Sequence, residues 1–128
     1  MYDDVKTFLV DKGIDARLIG NIMLSVSEAF TNALLHGNQS DPNKSIHISI
    51  TTNNNEITAD IIDEGSGDVE HLGSDEEADL WQEGGRGMML IKRMSREVAF
   101  SKSLITGGLQ VTIKFDRNKY KQKMEQNI

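Results

Sequence analysis

One stretch of the chain carries an acidic and an amide side chain at a spacing that could serve a common ligand. Glu28 and Asn32 are four residues apart, and His36 follows after four more. On a helix, side chains at this spacing project from one face, so a carboxylate and an amide can meet one ligand. A surface Glu–Asn pair on a core helix has the same spacing, and the pair alone favours that simpler interpretation.

Asp63 is a second candidate for chemistry. It follows a run in which three apolar residues alternate with polar ones: Ile57, Ala59 and Ile61. Asp63 has the same parity, so it points to the apolar face if the strand keeps its register. A buried carboxylate is costly unless it is hydrogen-bonded, and this position therefore needs a partner. For the residue taken alone, an aspartate that turns outward at the strand end is the favoured alternative.

Two glycine-rich segments follow Asp63. Gly65 and Gly67 come directly after it, where missing side chains permit either a tight turn or the close approach of a flat ligand. The run Gly84-Gly85-Arg86-Gly87 opens a predicted short helix that continues through Met88. Free backbone N–H groups and the positive end of a helix dipole suit phosphate. Each segment alone is a weak signal, because turns and helix starts often contain glycine.

The elements that must position these residues follow from apolar periodicity. Residues 18–34 repeat apolar side chains at the i, i+3, i+4 and i+7 spacing of an amphipathic helix, with Asp15 placed to cap it and Gly37 to end it. A shorter helix precedes it. Period-two alternation predicts four strands, at residues 46–50, 57–61, 98–100 and 109–115. The first two flank an asparagine turn and form a hairpin.

Composition limits the class of protein. The 128 residues make one domain, and 38% hydrophobic with 27% charged residues is typical of a folded protein. The chain has no cysteine, which excludes disulfides and thiolate chemistry. No apolar run is predicted to span a membrane and no signal peptide is recognised, so the expected location is cytoplasmic.

The net charge of −6 is unevenly distributed. Residues 63–83 hold nine of the 20 acidic side chains and no lysine or arginine, which leaves 11 acidic and 14 basic residues elsewhere. Because no basic face is concentrated outside the C-terminal tail, direct binding of nucleic acid is not expected. The three histidines are scattered, and none has a second ligand at metal-binding spacing.

In combination, the motifs follow one order: Glu-x-x-x-Asn on a helix, Asp-x-Gly-x-Gly after a strand, an acidic segment, and Gly-x-Gly before a helix. This order resembles the Bergerat-fold ATP-binding domain of the GHKL superfamily, which includes gyrase, the ninety-kilodalton heat-shock chaperone, histidine kinases and MutL. The resemblance covers nearly the whole chain. It implies an α/β fold, an α+β two-layer sandwich in which a mixed, largely antiparallel sheet carries helices on one face. The implied ATPase domain is residues 1–115, with an ATP lid at 68–83, and residues 116–128 form a basic C-terminal tail.

Within the superfamily, the chain is most similar to the small anti-sigma factor serine kinases. This resemblance is carried by two segments, Val26-Ser-Glu-Ala-Phe-Thr-Asn-Ala33 and Gly84-Gly-Arg-Gly-Met-Met-Leu-Ile91. It implies a serine/threonine-protein kinase that uses ATP and Mg²⁺ to phosphorylate a small antagonist (anti-anti-sigma) protein in a partner-switching pathway. A sigma factor would be a second partner.

The resemblance also assigns roles to the candidate residues. Glu28 would be the catalytic base. Asn32 would bind the nucleotide and give its amide oxygen to Mg²⁺, and Asp63 would accept a hydrogen bond from the adenine amino group. The other nucleotide-binding residues would lie beside the base and the phosphates: Gly65, Gly67, Gly85, Arg86, Gly87 and Met88.

Three features depart from the family pattern. Relatives normally begin with an extra strand that often contributes to dimerisation, whereas this chain starts at a helix, and the resemblance therefore leaves a homodimer open. Asp68-Val69-Glu70 stands where relatives often have an aromatic residue and a proline. Gly108-Leu109 stands where many relatives have Gly-Thr, with the threonine reaching the adenine. Adenine recognition is thus expected to be looser or differently completed.

Two other functions compete with the kinase hypothesis. One is a non-catalytic GHKL module that regulates a partner through nucleotide binding, and the other is a detached histidine-kinase catalytic domain. Histidine kinases usually have asparagine where this chain has Glu28, so Glu28 disfavours the last of these. It favours the serine/threonine kinase over both, although a glutamate also suits plain ATP hydrolysis.

Overall fold

Three helices and four strands make up the domain, whose computed structural model describes residues 2–66 and 85–120. In chain order the elements are α1 (Tyr2–Asp11), α2 (Ala16–Asn32), a π-helical turn (Ala33–Gly37), β1 (His47–Thr52), β2 (Glu56–Ile62), α3 (Gly85–Met94), β3 (Glu97–Lys102) and β4 (Leu109–Asp116). This is the predicted α+β arrangement. Each predicted helix and strand is present.

The strands form one open sheet in the order β1-β2-β4-β3. All three pairings among the described strands are antiparallel, so the parallel component of the expected mixed sheet does not occur among them. The register aligns apolar residues across the sheet, with Ile61 of β2 opposite Ile48 of β1 and Val111 of β4. Because side chains alternate along each strand, this register makes one face apolar and the other polar.

The core lies between the apolar face of the sheet and α2. The fully buried residues of α2 repeat at helical spacing, and those of the sheet alternate along β2 and β4: Ile22, Val26 and Ala29 on the helix, with Ile57, Ile61, Ile113 and Phe115 on the strands. Helices α1 and α3 pack against α2 and complete the layer. Each buried isoleucine or phenylalanine stabilises the fold by about 1.5–3 kcal/mol.

Helix α2 begins and ends as the sequence predicts, with one addition. Asp15 caps the start, because its Oδ1 accepts a hydrogen bond from the Arg17 backbone N–H at 2.8 Å. At the other end the helix widens into the π-helical turn, in which the Asn38 N–H donates to the Ala33 carbonyl, five residues back, at 2.8 Å. Such π-helical turns are frequent at functional sites.

The stretch Ala16–Gly37 has the length and composition of a membrane span, contrary to the expectation from the sequence. It covers 22 residues, and its most apolar window has a mean hydropathy of 1.3. Half of that window is buried inside the domain, where its apolar stripe packs against the sheet. The helix therefore has the placement of a core helix.

The chain beyond β4 stays packed against the domain as far as Tyr120. The Asn21 side-chain amide donates to the Tyr120 hydroxyl at 2.9 Å, and the Arg17 guanidinium lies 4.4 Å from the centre of the tyrosine ring. The first residues of the predicted C-terminal tail are thus held on α2 by a hydrogen bond and a cation–π contact. Residues 121–128 lie outside the described part of the chain.

Candidate nucleotide site

Asp63 points into the domain, as its parity with the apolar residues of β2 predicts. The residue is 2% exposed. Its Oδ1 accepts hydrogen bonds from the backbone N–H groups of Gly65 and Leu109, each at 2.9 Å. The strand ladder also continues through it, because the Asp63 N–H donates to the Leu109 carbonyl at 3.0 Å. One oxygen of the buried carboxylate is therefore fixed by the protein backbone.

The second oxygen, Oδ2, has no hydrogen-bond partner within residues 2–66 and 85–120. It lies against the backbone of Gly37, where even a methyl group would overlap with it. A carboxylate with one oxygen locked and the other unpaired is an acceptor of fixed direction. It suits a ligand that presents an N–H or O–H donor.

Three glycines from separate segments form a cradle around Asp63. A Cβ at Gly37 would overlap with the Asp63 carboxylate, one at Gly65 would overlap with the Gly37 carbonyl, and one at Gly108 would overlap with the Asp63 carbonyl. The end of the helix, the segment after β2 and the β3–β4 turn thus approach one another backbone to backbone. Only glycine permits approaches this close.

The segment that follows Asp63 is hydrogen-bonded to the side chain of Asn38, which is 1% exposed. The Asn38 side chain accepts from the Glu64 N–H at 2.7 Å and donates to the Ser45 carbonyl at 3.0 Å. Glu64 in turn lies 3.0 Å from His47 Nε2 and accepts from the Ser45 N–H at 3.1 Å. The His47 hydrogen bond, with a smaller contribution from Ser45, holds the pKa of the Glu64 carboxyl below its ordinary value.

Asn32 and His36 carry buried polar atoms that lack partners. Asn32 is 4% exposed, and neither its Nδ2 nor the Nε2 of His36 has a hydrogen-bond partner in the described structure. A buried donor left unsatisfied costs about 1–3 kcal/mol. The partners of these groups therefore lie outside the described residues, either in the rest of the chain or in a bound molecule.

Glu28 lies one helical turn before Asn32, and both belong to α2, which confirms the predicted helical spacing. The side chain is half-buried. It makes no hydrogen bond or ion pair with any residue that the structure describes.

The segment predicted to bind phosphate is described only in part. Gly85, Arg86 and Gly87 form the first turn of α3, whose leading N–H groups have no intrahelical acceptors. Met88, predicted to contact the nucleotide, is 7% exposed and belongs to the hydrophobic core. Gly67 and the predicted lid at 68–83 lie outside the described residues, so their roles stay predictions.

The structure adds residues that the sequence analysis did not assign to the site. Gly37 was expected only to end the helix, Asn38 and Thr106 were not assigned a role, and Leu109 was noted only as standing where many relatives have a threonine. Gly37 and Asn38 follow the Glu28–Asn32 face directly, and that adjacency was the available signal. Thr106 and Leu109 reach Asp63 across more than 40 residues of sequence, and no local pattern marks them.

Within the described residues, no group of three or more His, Asp or Glu side chains could hold a metal ion. A magnesium ion here would therefore depend on few protein ligands, with substrate phosphates and water supplying the rest.

A comparison with protein-family models identifies the domain. The model described as "Histidine kinase-like ATPase domain" matches residues 2–115, which is most of the chain. No curated protein matches the chain at a significant level. The match includes α2, Asp63 with its glycine cradle, and the start of α3. The chain therefore belongs to the family of histidine kinase-like ATPase domains, of the GHKL type, and ATP is the nucleotide that this membership implies.

Proposed function

We propose that this chain is an ATP-dependent serine/threonine-protein kinase of the anti-sigma type, which phosphorylates a small antagonist protein in a partner-switching pathway. The observation that carries the proposal is the buried Asp63, with one oxygen fixed by backbone N–H groups and the other without a hydrogen-bond partner among the described residues. Family membership supports ATP as the donor substrate. The inference that the acceptor is a hydroxyl group on a partner protein is drawn from Glu28 and its surroundings.

Asp63 would recognise the adenine ring. Its Oδ2, which has no partner among the described residues, would accept a hydrogen bond from the amino group of the base. Oδ1 would keep its two backbone donors. The carboxylate would then be fully hydrogen-bonded in the complex, as buried carboxylates require.

Asn32 would serve the phosphate end of the nucleotide. It precedes Gly37 by five residues, about 7 Å along the helix axis, so Asn32 and Asp63 would contact different parts of one molecule. Its buried, unpaired amide fits a polar ligand, and its oxygen would coordinate Mg²⁺. Bound magnesium supplies charge neutralisation to the phosphates. The N–H groups of Gly85, Arg86 and Gly87 would add hydrogen bonds at the start of α3.

Glu28 would act as the base. It would take the proton of an acceptor serine as the serine oxygen forms a bond to the γ-phosphorus, while the bond from that phosphorus to the β,γ-bridging oxygen breaks and ADP leaves. Because it lies one turn from Asn32, it would be beside the phosphate end of the nucleotide. Its lack of partners in the described structure leaves it free to accept the proton.

Exposed apolar side chains near Glu28 support a protein as the acceptor. Leu24 is 40% exposed one turn before Glu28, and Leu34 and Leu35 are 38% and 44% exposed beyond Asn32. Residues four apart share a helix face, so Leu24 lies on the face of the proposed base, and Leu35 follows in the π-helical turn. A protein that brings a serine to Glu28 must cover these leucines. Apolar contact with them would favour a folded antagonist over a small metabolite, and a sigma factor would be a further partner.

The test is phosphoryl transfer from labelled ATP to a candidate antagonist protein by the wild type and the Glu28→Gln variant. We expect the variant to bind ADP normally and to transfer phosphate about 10²- to 10⁴-fold more slowly. Glu97→Gln is the matched control, because Glu97 is an exposed glutamate of β3 whose ion pair to Lys114 is 3.9 Å long. It should transfer at the wild-type rate.

Three other outcomes would each change the proposed mechanism or the proposed function. Transfer by Glu28→Gln at the wild-type rate would remove Glu28 from the mechanism. Tight ATP binding without transfer to any cognate partner would favour a non-catalytic module. An acid-labile product would favour phosphohistidine, and hence a histidine kinase, because phosphoserine is stable in acid.

A further inference from the structure

The turn between β3 and β4 contacts the backbone of Asp63 through one side chain, that of Thr106. The Thr106 hydroxyl donates to the Asp63 carbonyl at 2.7 Å and accepts from the Gly108 N–H at 2.9 Å. It thus joins the tip of the turn to the residue at the end of β2. Nothing in the proposed function uses this contact.

The turn is built to hold Thr106 in place. Ser103, which is 2% exposed, accepts from the backbone N–H groups of Ile105 and Thr106 at 3.1 and 3.2 Å. The Ser103 N–H donates to the Gly108 carbonyl at 2.7 Å, and Gly107 has a φ of +76°, which favours glycine. These three hydrogen bonds therefore set the shape of the turn before any ligand binds.

The same turn controls the direction of the Asp63 carboxylate. Leu109, which directly follows the turn, donates its N–H to Asp63 Oδ1 at 2.9 Å. The Thr106 hydroxyl donates to the Asp63 carbonyl. Leu109 donates its N–H to the Asp63 side chain, and the Leu109 carbonyl accepts from the Asp63 N–H. Without the hydroxyl, the Asp63 carbonyl would lose its bond and the turn would be free to shift, taking the Leu109 donor with it.

We propose that Thr106 is a positioning residue for base selectivity: its hydroxyl fixes the turn so that Asp63 Oδ2 keeps the direction needed to accept from an adenine amino group. The proposal rests on the proposed role of Asp63. Guanine carries an oxygen acceptor at the corresponding position of the ring, so a fixed carboxylate oxygen there is repulsive. Selectivity for adenine over guanine therefore depends on how firmly the acceptor is held.

The experiment compares calorimetric titrations of ADP and GDP into the wild type, Thr106→Val and Thr106→Ser. Valine keeps the shape of threonine but lacks the hydroxyl, and we expect its ADP affinity to fall about tenfold, with little change for GDP. Selectivity should thus fall about tenfold. Serine restores the hydroxyl and should restore selectivity. The matched control is Thr112→Val, which removes a 2.6 Å bond to Asp60 on the polar face of the sheet, and it should leave selectivity unchanged.

Hydrogen exchange of the Leu109 amide, measured without nucleotide, provides a second readout. We expect it to speed up in Thr106→Val and not in Thr112→Val. The inference is overturned if the wild type discriminates ADP from GDP and Thr106→Val discriminates equally well, or if Thr106→Ser fails to restore the loss. Failure of the wild type itself to bind ADP would instead overturn the proposed role of Asp63, and the inference with it.

Discussion

At the scale of single residues, the site is defined by three positions at which no residue larger than glycine fits. Asp63 is enclosed by Gly37, Gly65 and Gly108, and a side chain at any of the three would overlap with backbone or with the carboxylate. The glycines come from three segments that are distant in sequence. Their shared property is that the absence of a side chain at each permits the close packing that encloses Asp63 in the domain.

Gly37→Ala should therefore destabilise the domain. The added methyl group would overlap with Asp63 Oδ2, and overpacking of this kind costs about 1–3 kcal/mol. Gly20→Ala is the control on the same helix: Gly20 has open space around its Cα, and alanine there should stabilise by up to about 1 kcal/mol. Urea unfolding measures both. Equal stabilities of the two variants would show that Gly37 is not crowded.

At the scale of elements, apolar periodicity was sufficient to predict each described helix and strand. The alternation in β2 also predicted correctly that Asp63 points inward. The π-helical turn was not predicted, because a widened turn leaves the apolar spacing almost unchanged. The bonds from Thr106 and Leu109 to Asp63 could not be predicted, because the order of the strands in the sheet creates them and no local pattern records that order.

Arg117, just beyond β4, connects the end of α1 with the β1–β2 turn. Its guanidinium donates to the Lys12 carbonyl at the end of α1 at 2.8 Å, and to Thr52 and Asn53 at the β1–β2 turn at 3.1 and 2.8 Å. The forked geometry of arginine makes these simultaneous contacts possible.

We expect Arg117→Ala to lower the free energy of unfolding by about 1–3 kcal/mol, because three carbonyl or hydroxyl acceptors lose charged donors. Arg117→Lys should recover only part of the loss, since one ammonium cannot serve both elements. Arg96→Ala is the control, because the exposed Arg96 side chain makes no hydrogen bond in the described structure. Denaturant unfolding that shows equal stabilities for Arg117→Ala and Arg96→Ala would contradict the account.

At the scale of the whole molecule, the sheet separates two environments. Helices cover its apolar face, and the other face carries polar pairs such as Asp60 with Gln110 and Thr112. The His47–Glu64 pair lies at the edge of this polar face and joins β1 to the segment that follows Asp63. The protonation of Glu64 is therefore linked to the folding of the domain.

This link predicts a pH dependence of stability. Because the folded-state pKa of Glu64 is lowered, chiefly by His47, the unfolded chain binds more protons than the folded domain in the acid range. The contribution of Glu64 is fully present above the ordinary glutamate pKa and is lost as the pH falls through the lowered folded-state value.

Thermal unfolding of the wild type, Glu64→Gln and His47→Ala between neutral and acid pH tests this prediction. Both substitutions should make the loss of stability on acidification shallower, because Glu64→Gln removes the titrating carboxyl and His47→Ala removes the main cause of its lowered pKa. If stability fell more steeply with acidification in the variants than in the wild type, the result would contradict the prediction.

The central claim is that Asp63 binds the base of an adenine nucleotide, and calorimetric titration of ADP with Mg²⁺ tests it most directly. Asp63→Asn replaces the unpaired acceptor with an amide that can present a donor, and we expect its ADP affinity to fall roughly ten- to hundredfold. Asp60→Asn makes the same chemical change on the same strand, on the polar face of the sheet. The account predicts wild-type affinity for Asp60→Asn and weakened affinity for Asp63→Asn, whereas unchanged ADP affinity in Asp63→Asn would contradict it.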